Sequence, residues 1–335
     1  MKIVSVRKAL VLSALVTIFA TSVHANEQTL SAQLGNRDLD INSVDSIDGD
    51  ALDREMLKLM DRVPEESATE NAVADQTATQ TDSPATDARE KALSAPSTST
   101  RAAFCSESRQ PGNAQRRGQV EDNLMAFEND GGLLNGGVCW WHSRMQRSSL
   151  YLAVFRPELP RPSHDEANAL LKKLERNEGV VEIGGYRNWH EFSNDQEALI
   201  QHRLNLWQLS DGFLRQAWIR GLANPAVAKP SRAAEQLKKL MQAISYEVES
   251  LKRVTYVKVQ LPGITSHAWL ILAAHPTATG INLTILDSNY LTVTWYTYKY
   301  GDHAINVYDT RGFLPYVEQR GDFAKFDAAI ANYCR

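Results

Sequence analysis

Aromatic residues are confined to one part of this chain. Its 335 residues include nine Phe, eleven Tyr and seven Trp, and apart from Phe19 every one of them lies at or beyond Phe104. Between Thr21 and Ala103 there is none. Aromatic side chains contribute heavily to core energetics, so a core is expected only from residues 104–335, an ordinary length for one globular domain. A composition of 43% hydrophobic and 23% charged residues excludes a collagen-like or wholly disordered chain. The sequence pI of about 6.1 and the lack of a long basic run exclude nucleic-acid binding by bulk charge.

Residues 1–25 have the parts of a secretory signal peptide. Lys2, Arg7 and Lys8 precede an apolar run from Ala9 to Ala20, interrupted by Ser13 and Thr17, and the segment ends in Val23-His24-Ala25. The run is shorter than the ~20 residues that a comfortable membrane span needs, and no Cys follows it for lipid attachment. Export to a periplasm or beyond is expected, with no stable membrane insertion after the signal is removed.

Residues 26–103 are acidic. Sixteen acidic residues stand against six basic ones from Asn26 to Thr100. Positions 64–100 are dominated by Glu, Asp, Ala, Thr, Ser and Gln, a composition that buries too little apolar surface to offset chain entropy, and is therefore expected to be disordered. Leu52, Met56, Met60 and Val63 fall at helical spacing and predict a short amphipathic helix. Two roles remain open for this stretch: an inhibitory pro-segment drawn to the slightly basic remainder of the chain, or a tether.

Within residues 104–335 the two halves differ. Ala114 to Asn129, Cys139 to Val154, Pro162 to Arg176, Asn194 to Leu209 and Arg232 to Val248 have apolar periodicity that predicts helices, with one short strand at Val180 to Ile183. After Lys252, the segments VTYVKVQL, HAWLILAA, INLTILD, YLTVTWYTY and AINVYD are rich in β-branched and aromatic residues, with turn signals between them. A last helix is predicted from Asp322 to Tyr333. Helices followed by a run of strands predict an α+β fold, with a sheet packed against a helical half.

The three cysteines separate into a pair and a single. Cys105 opens the domain and Cys334 is the penultimate residue. Domain termini often lie close together and export brings oxidising conditions, so a Cys105–Cys334 disulfide is expected. Cys139 remains, either as a buried structural thiol or as a reactive one. Its setting, Asn135-Gly136-Gly137-Val138-Cys139-Trp140-Trp141, favours reactivity. The glycines allow a sharp approach, and the first turn of the following helix would stabilise a thiolate, the form that attacks carbonyls. His267 opens a hydrophobic strand just after a Gly-containing turn, and Asp287 ends the next strand. Paired antiparallel, the two strands could set these side chains together, with Asp287 orienting the imidazole; Asn289 is the rival for that role.

This arrangement resembles the papain-like cysteine peptidase superfamily. Gly137-Val138-Cys139-Trp140 matches its Gly-x-Cys-Trp motif and His267-Ala268 its His-Ala. Asp287 takes the third place, as in several bacterial branches where papain has Asn. The likeness covers most of residues 104–335 in element order and is specific only around these three sites. Papain's oxyanion-hole Gln, six residues before its Cys, is replaced here by Leu133; Asn135 is the substitute candidate, beside the amide of Cys139.

The resemblance implies a helical half carrying the Cys packed against an antiparallel β half carrying His and Asp. It also implies an amide hydrolase working through a thioester, with a protein or peptide as substrate. A peptidoglycan amidase or endopeptidase acting on cell-wall peptide, and a transglutaminase or deamidase, would use the same three residues. The Asp-Cys-Ser-Gly signature of one class of wall hydrolases is absent. A catalytically silent binding module is the alternative outside enzymes. No cofactor or metal is expected: Cys139-x-x-His142 lacks a second ligand pair, and His190-Glu191 is followed at position 194 by Asn where a zinc-protease helix needs His.

Overall fold

The structure, a computed structural model, describes residues 100–129, 138–208, 210–211, 233–260, 266–290, 292–306, 312–317 and 321–335. These all belong to one compact unit, Glu66–Arg335. The predicted signal segment, the acidic stretch up to residue 99, and Asn135 lie outside the described residues.

The described residues begin with helices α1 (Arg101–Ser108) and α2 (Asn113–Gly118) and a short 3-10 turn, Glu121–Asn123. Helix α3 (Cys139–Leu152) leads directly into strand β1 (Ala153–Arg156). Helix α4 (His164–Arg176) then crosses to β2 (Val181–Gly184), which pairs in parallel with β1. A parallel pair needs such a crossover. Ser163 starts α4 with a reciprocal capping box, its side chain taking the Glu166 amide while the Glu166 carboxylate takes its own. Helices α5 (Trp189–Asp195), α6 (Glu197–Gln208) and α7 (Ala233–Ser245) follow, the last running into a π-helical turn, Tyr246–Ser250.

The second half is β3 (Thr255–Gln260), β4 (Ser266–Pro276), β5 (Gly280–Asp287), β6 (Val293–Lys299), β7 (Ile305–Asn306) and β8 (Gly312–Val317), closed by helix α8 (Asp322–Tyr333). These strands form an antiparallel sheet in the order β6-β5-β4-β3-β8-β7. The fold is mixed helix and sheet, of α+β type.

Alternation along the strands divides the core between the two faces of this sheet. Val254, Tyr256, Ala268, Leu270 and Leu286 pack with Trp140, Met145, Leu150 and Leu152 of α3. Val257, Val259, Trp269, Ile271, Leu283 and Ile285 pack with Leu237, Met241 and Ile244 of α7. Near the two ends of the described residues, Cys105 and Cys334 form a disulfide across 229 positions, with a Cα–Cα distance of 5.6 Å. Among the described residues no helix is long and apolar enough to cross a membrane.

One predicted helix is largely missing. Of Ala114 to Asn129, only the part up to Gly118 is α-helical. A Cβ at Gly118 would come within 2.8 Å of Leu272 Cδ2, so the chain is pressed against the sheet there. Beyond it, amides that a helix would use internally are taken by tertiary acceptors. Met125 N–H donates to Gln146 Oε1 (2.6 Å), Ala126 N–H to Ser193 Oγ (2.9 Å) and Asn129 N–H to the Ser288 carbonyl (2.8 Å). With these donors satisfied elsewhere, the segment has no need of helix.

Candidate active site

Cys139 is the first residue of α3. The opening bond of that helix runs from His142 N–H to the Val138 carbonyl (2.8 Å), so the amides of Cys139, Trp140 and Trp141 precede it at the helix's positive end. The sulfur therefore sits where an anion is favoured. Val138 provides no side-chain cap. Its own amide is instead held by Asn129 Oδ1 at 2.7 Å.

Strand pairing assembles the other two groups. Trp269 on β4 stands directly opposite Asp287 on β5, and His267, two residues earlier, shares the face of Trp269. Such diagonal neighbours are within reach of an imidazole. His267 Nε2–H donates to Asp287 Oδ1 at 2.8 Å. The same ring makes a side-chain hydrogen bond with Cys139; with Nε2 committed to the carboxylate, Nδ1 is the nitrogen left to face the sulfur.

The structure thus brings Cys139, His267 and Asp287 together in that order. Asn289 supports the carboxylate rather than replacing it: its backbone N–H donates to Asp287 Oδ1 at 2.9 Å. Asn135 cannot be placed, since it falls outside the described residues.

The charge balance of the site follows from these contacts. Burial pushes the His267 imidazolium toward losing its proton. The hydrogen bonds that the ring donates to Asp287 and Cys139, and its electrostatic attraction to both groups, more than offset this and raise its pKa to about 10. His267 is therefore an imidazolium at neutral pH. Cys139, His267 and Asp287 are only 4%, 6% and 3% exposed. A small cavity behind Asp287 is lined by Leu124, His142, Gln146, Leu286, Ser288 and Tyr290.

The first turn of α3 is braced on several sides. Lys258 Nζ, buried on β3, lies 3.0 Å from the Trp140 ring centroid, a cation–π contact. Trp141 Nε1–H and Arg144 Nη1 reach Asp211 Oδ2 at 3.4 and 3.2 Å. His142 Nε2–H donates to the Phe127 carbonyl at 2.9 Å. Among the described residues no group of three or more His, Cys, Asp or Glu side chains stands where it could hold a metal ion.

Two residues of the site were not singled out from the sequence. Trp269 Nε1–H donates to Asp287 Oδ2 at 2.7 Å, and its ring packs edge-on to His267 with centroids 6.5 Å apart. A signal for it existed, because a period of two along HAWLILAA puts Trp269 on the face of His267. Asn129 had no such signal, lying at the end of a predicted helix that the chain does not form. Comparison with protein-family models, with curated proteins and with solved structures finds no match to this chain.

Proposed function

We propose that this protein is an exported thiol hydrolase of papain-like arrangement that cleaves amide bonds through Cys139, His267 and Asp287. The observation that carries the proposal is the chain of contacts from a sulfur at a helix N-terminus, through an imidazole, to a buried carboxylate. A thiolate stabilised by the helix end and the imidazolium attacks the carbonyl carbon, and the carbonyl π pair moves to oxygen. The Cys139 amide, with Asn135 on the strength of the family resemblance, donates to that oxyanion. Collapse breaks the C–N bond as His267 gives its proton to the leaving amine. Water, deprotonated by the now neutral His267, then cleaves the thioester and regenerates the thiolate–imidazolium pair. Asp287 keeps the ring oriented and its positive charge stabilised throughout.

Export is supported by the character of residues 1–25 and by the Cys105–Cys334 bond, which belongs to oxidising surroundings. The test is incubation of the full chain with casein and, separately, with purified cell-wall sacculi, using Cys139→Ser as control. Peptide release from casein that is lost in the variant supports a peptidase. Release only from sacculi moves the substrate to wall peptide. Absence of any Cys139-dependent cleavage rejects the hydrolase and leaves a transglutaminase or deamidase, or the binding module.

A further inference from the structure

We infer that Asn129 is a positioning residue that sets the spacing between the Cys139 sulfur and the His267–Asp287 pair; the inference rests on the thiol-hydrolase reading and deepens it. Cys139 and Asp287 belong to separate elements, α3 and the end of β5. Attack and proton transfer need their geometry held to a fraction of an ångström.

One side chain links the two ends. Asn129 Oδ1 accepts the amide of Val138, the residue before Cys139, at 2.7 Å. Its Nδ2–H donates to Oδ1 of Asn289, two residues after Asp287, at 3.1 Å. The Asn129 backbone N–H donates to the carbonyl of Ser288, the intervening residue, at 2.8 Å. Val138 and Ser288 are buried, at 0% and 3% exposure, while Asn129 and Asn289 are half-buried, so the link is partly shielded from competing water.

The chemistry suits an asparagine. A carboxamide presents one acceptor and one donor on the same short side chain, and both are used here in opposite directions. An Asp would keep the acceptor for Val138 and place a second acceptor against Asn289 Oδ1. An Ala would release both ends and leave the Val138 amide without its partner. Asn289 completes the link from the other side, because its backbone amide is on the same Asp287 oxygen that holds His267. Displacement of Asn129 therefore reaches the triad from two directions: through the start of the Cys139 helix and through the support of Asp287.

The test measures the rate of Cys139 alkylation by iodoacetamide at pH 6 and pH 9 on the full chain, for wild type, Asn129→Ala, Asn289→Ala and the double variant, with thermal midpoints recorded alongside. An ordinary thiol, titrating near 8.5, reacts about two hundredfold more slowly at pH 6 than at pH 9. The wild type is expected to keep most of its rate at pH 6. Asn129→Ala should lower the pH 6 rate several-fold, at most about fivefold where one lost hydrogen bond moves the thiol by about one pH unit, and the pH 9 rate much less. Asn289→Ala should act in the same direction, and the double variant should be no worse than Asn129→Ala alone. A purely structural Asn129 would lower the midpoint and leave the ratio of the two rates unchanged, which overturns the inference while the hydrolase reading stands. A wild type with the two-hundredfold ratio of an ordinary thiol defeats both. Should Asn129→Ala fail to fold, Asn289→Ala decides, since it cuts the same link and leaves every backbone contact of the turn in place.

Discussion

Replacing Asp287 by Asn changes one atom and should be felt in two separate ways. The carboxylate is shared by three donors: His267 Nε2–H and Asn289 N–H on Oδ1, and Trp269 Nε1–H on Oδ2, at 2.8, 2.9 and 2.7 Å. A carboxamide has only one oxygen. Whichever way it turns, its NH2 group faces a buried donor, and that conflict costs about 1–3 kcal/mol at any pH. The second effect is electrostatic. His267 titrates at about 10 in the folded protein against an ordinary 6.5, a difference equivalent to roughly 5 kcal/mol of preference for the imidazolium. Loss of a close opposite charge removes on the order of two pH units of this.

The sign follows from linkage. His267 binds its proton more tightly folded than unfolded, so its contribution to stability is complete below about pH 6.5 and is lost as pH rises through about 10. The deficit of Asp287→Asn relative to wild type should therefore be greatest near pH 6 and below, and narrow by about 2 kcal/mol toward pH 10. Urea unfolding of both proteins at the two pH values measures this, and nitrogen NMR of the imidazole follows His267 directly. A wild-type His267 titrating near 6.5, or a deficit that does not vary with pH, would refute the electrostatic account of the site.

Two further outcomes test the surroundings. Trp269→Phe keeps an aromatic ring but removes the donor from Asp287 Oδ2 and the five-membered ring of the buried indole; the lost hydrogen bond alone should cost about 1.5–3 kcal/mol in unfolding free energy, and the turnover of a cleaved peptide should fall with little change in KM. An equal loss in Ala273→Ser, which lies on the same strand outside the site, would show that the effect is not specific. Reduction of Cys105–Cys334, which closes a separation of 229 residues, should destabilise the domain by up to about 5 kcal/mol on the chain-entropy account, read as a lower urea midpoint with dithiothreitol present; an unchanged midpoint would show that the helical ends are held by packing alone.

Local chemistry carried the site a long way. Gly136-Gly137 before Cys139, a His opening an apolar strand and an Asp closing the next were each visible as short patterns, because a nucleophile at a helix start and polar groups at strand ends obey rules that act within a few residues. The segments HAWLILAA and INLTILD lie within β4 and β5 for the same reason. Gly312–Val317 was harder to see as a strand, since Pro315 argues against a central position. The pairing explains it: Pro315 lies opposite Val259 of β3, while β7 meets β8 only at Gly312 and Phe313 among the described residues. Strand β1 was hidden within a continuous helical pattern, because Ala153 to Phe155 are apolar whichever way the backbone runs, and only pairing with β2 makes them extended.

The amino-acid order alone determined where a core can form, that helices precede sheet, and which thiol, imidazole and carboxylate have settings suited to reaction, since each of these depends on burial tendency or on neighbours in the chain. Tertiary structure decided the rest. It placed Trp269 and Asn289 on the two oxygens of Asp287, drew Asn129 out of a helix to join α3 to β5, and lifted the proton affinity of His267. Those outcomes depend on distances between groups up to 160 positions apart, and hydrogen bonds and charges act through space, where sequence spacing sets no separation.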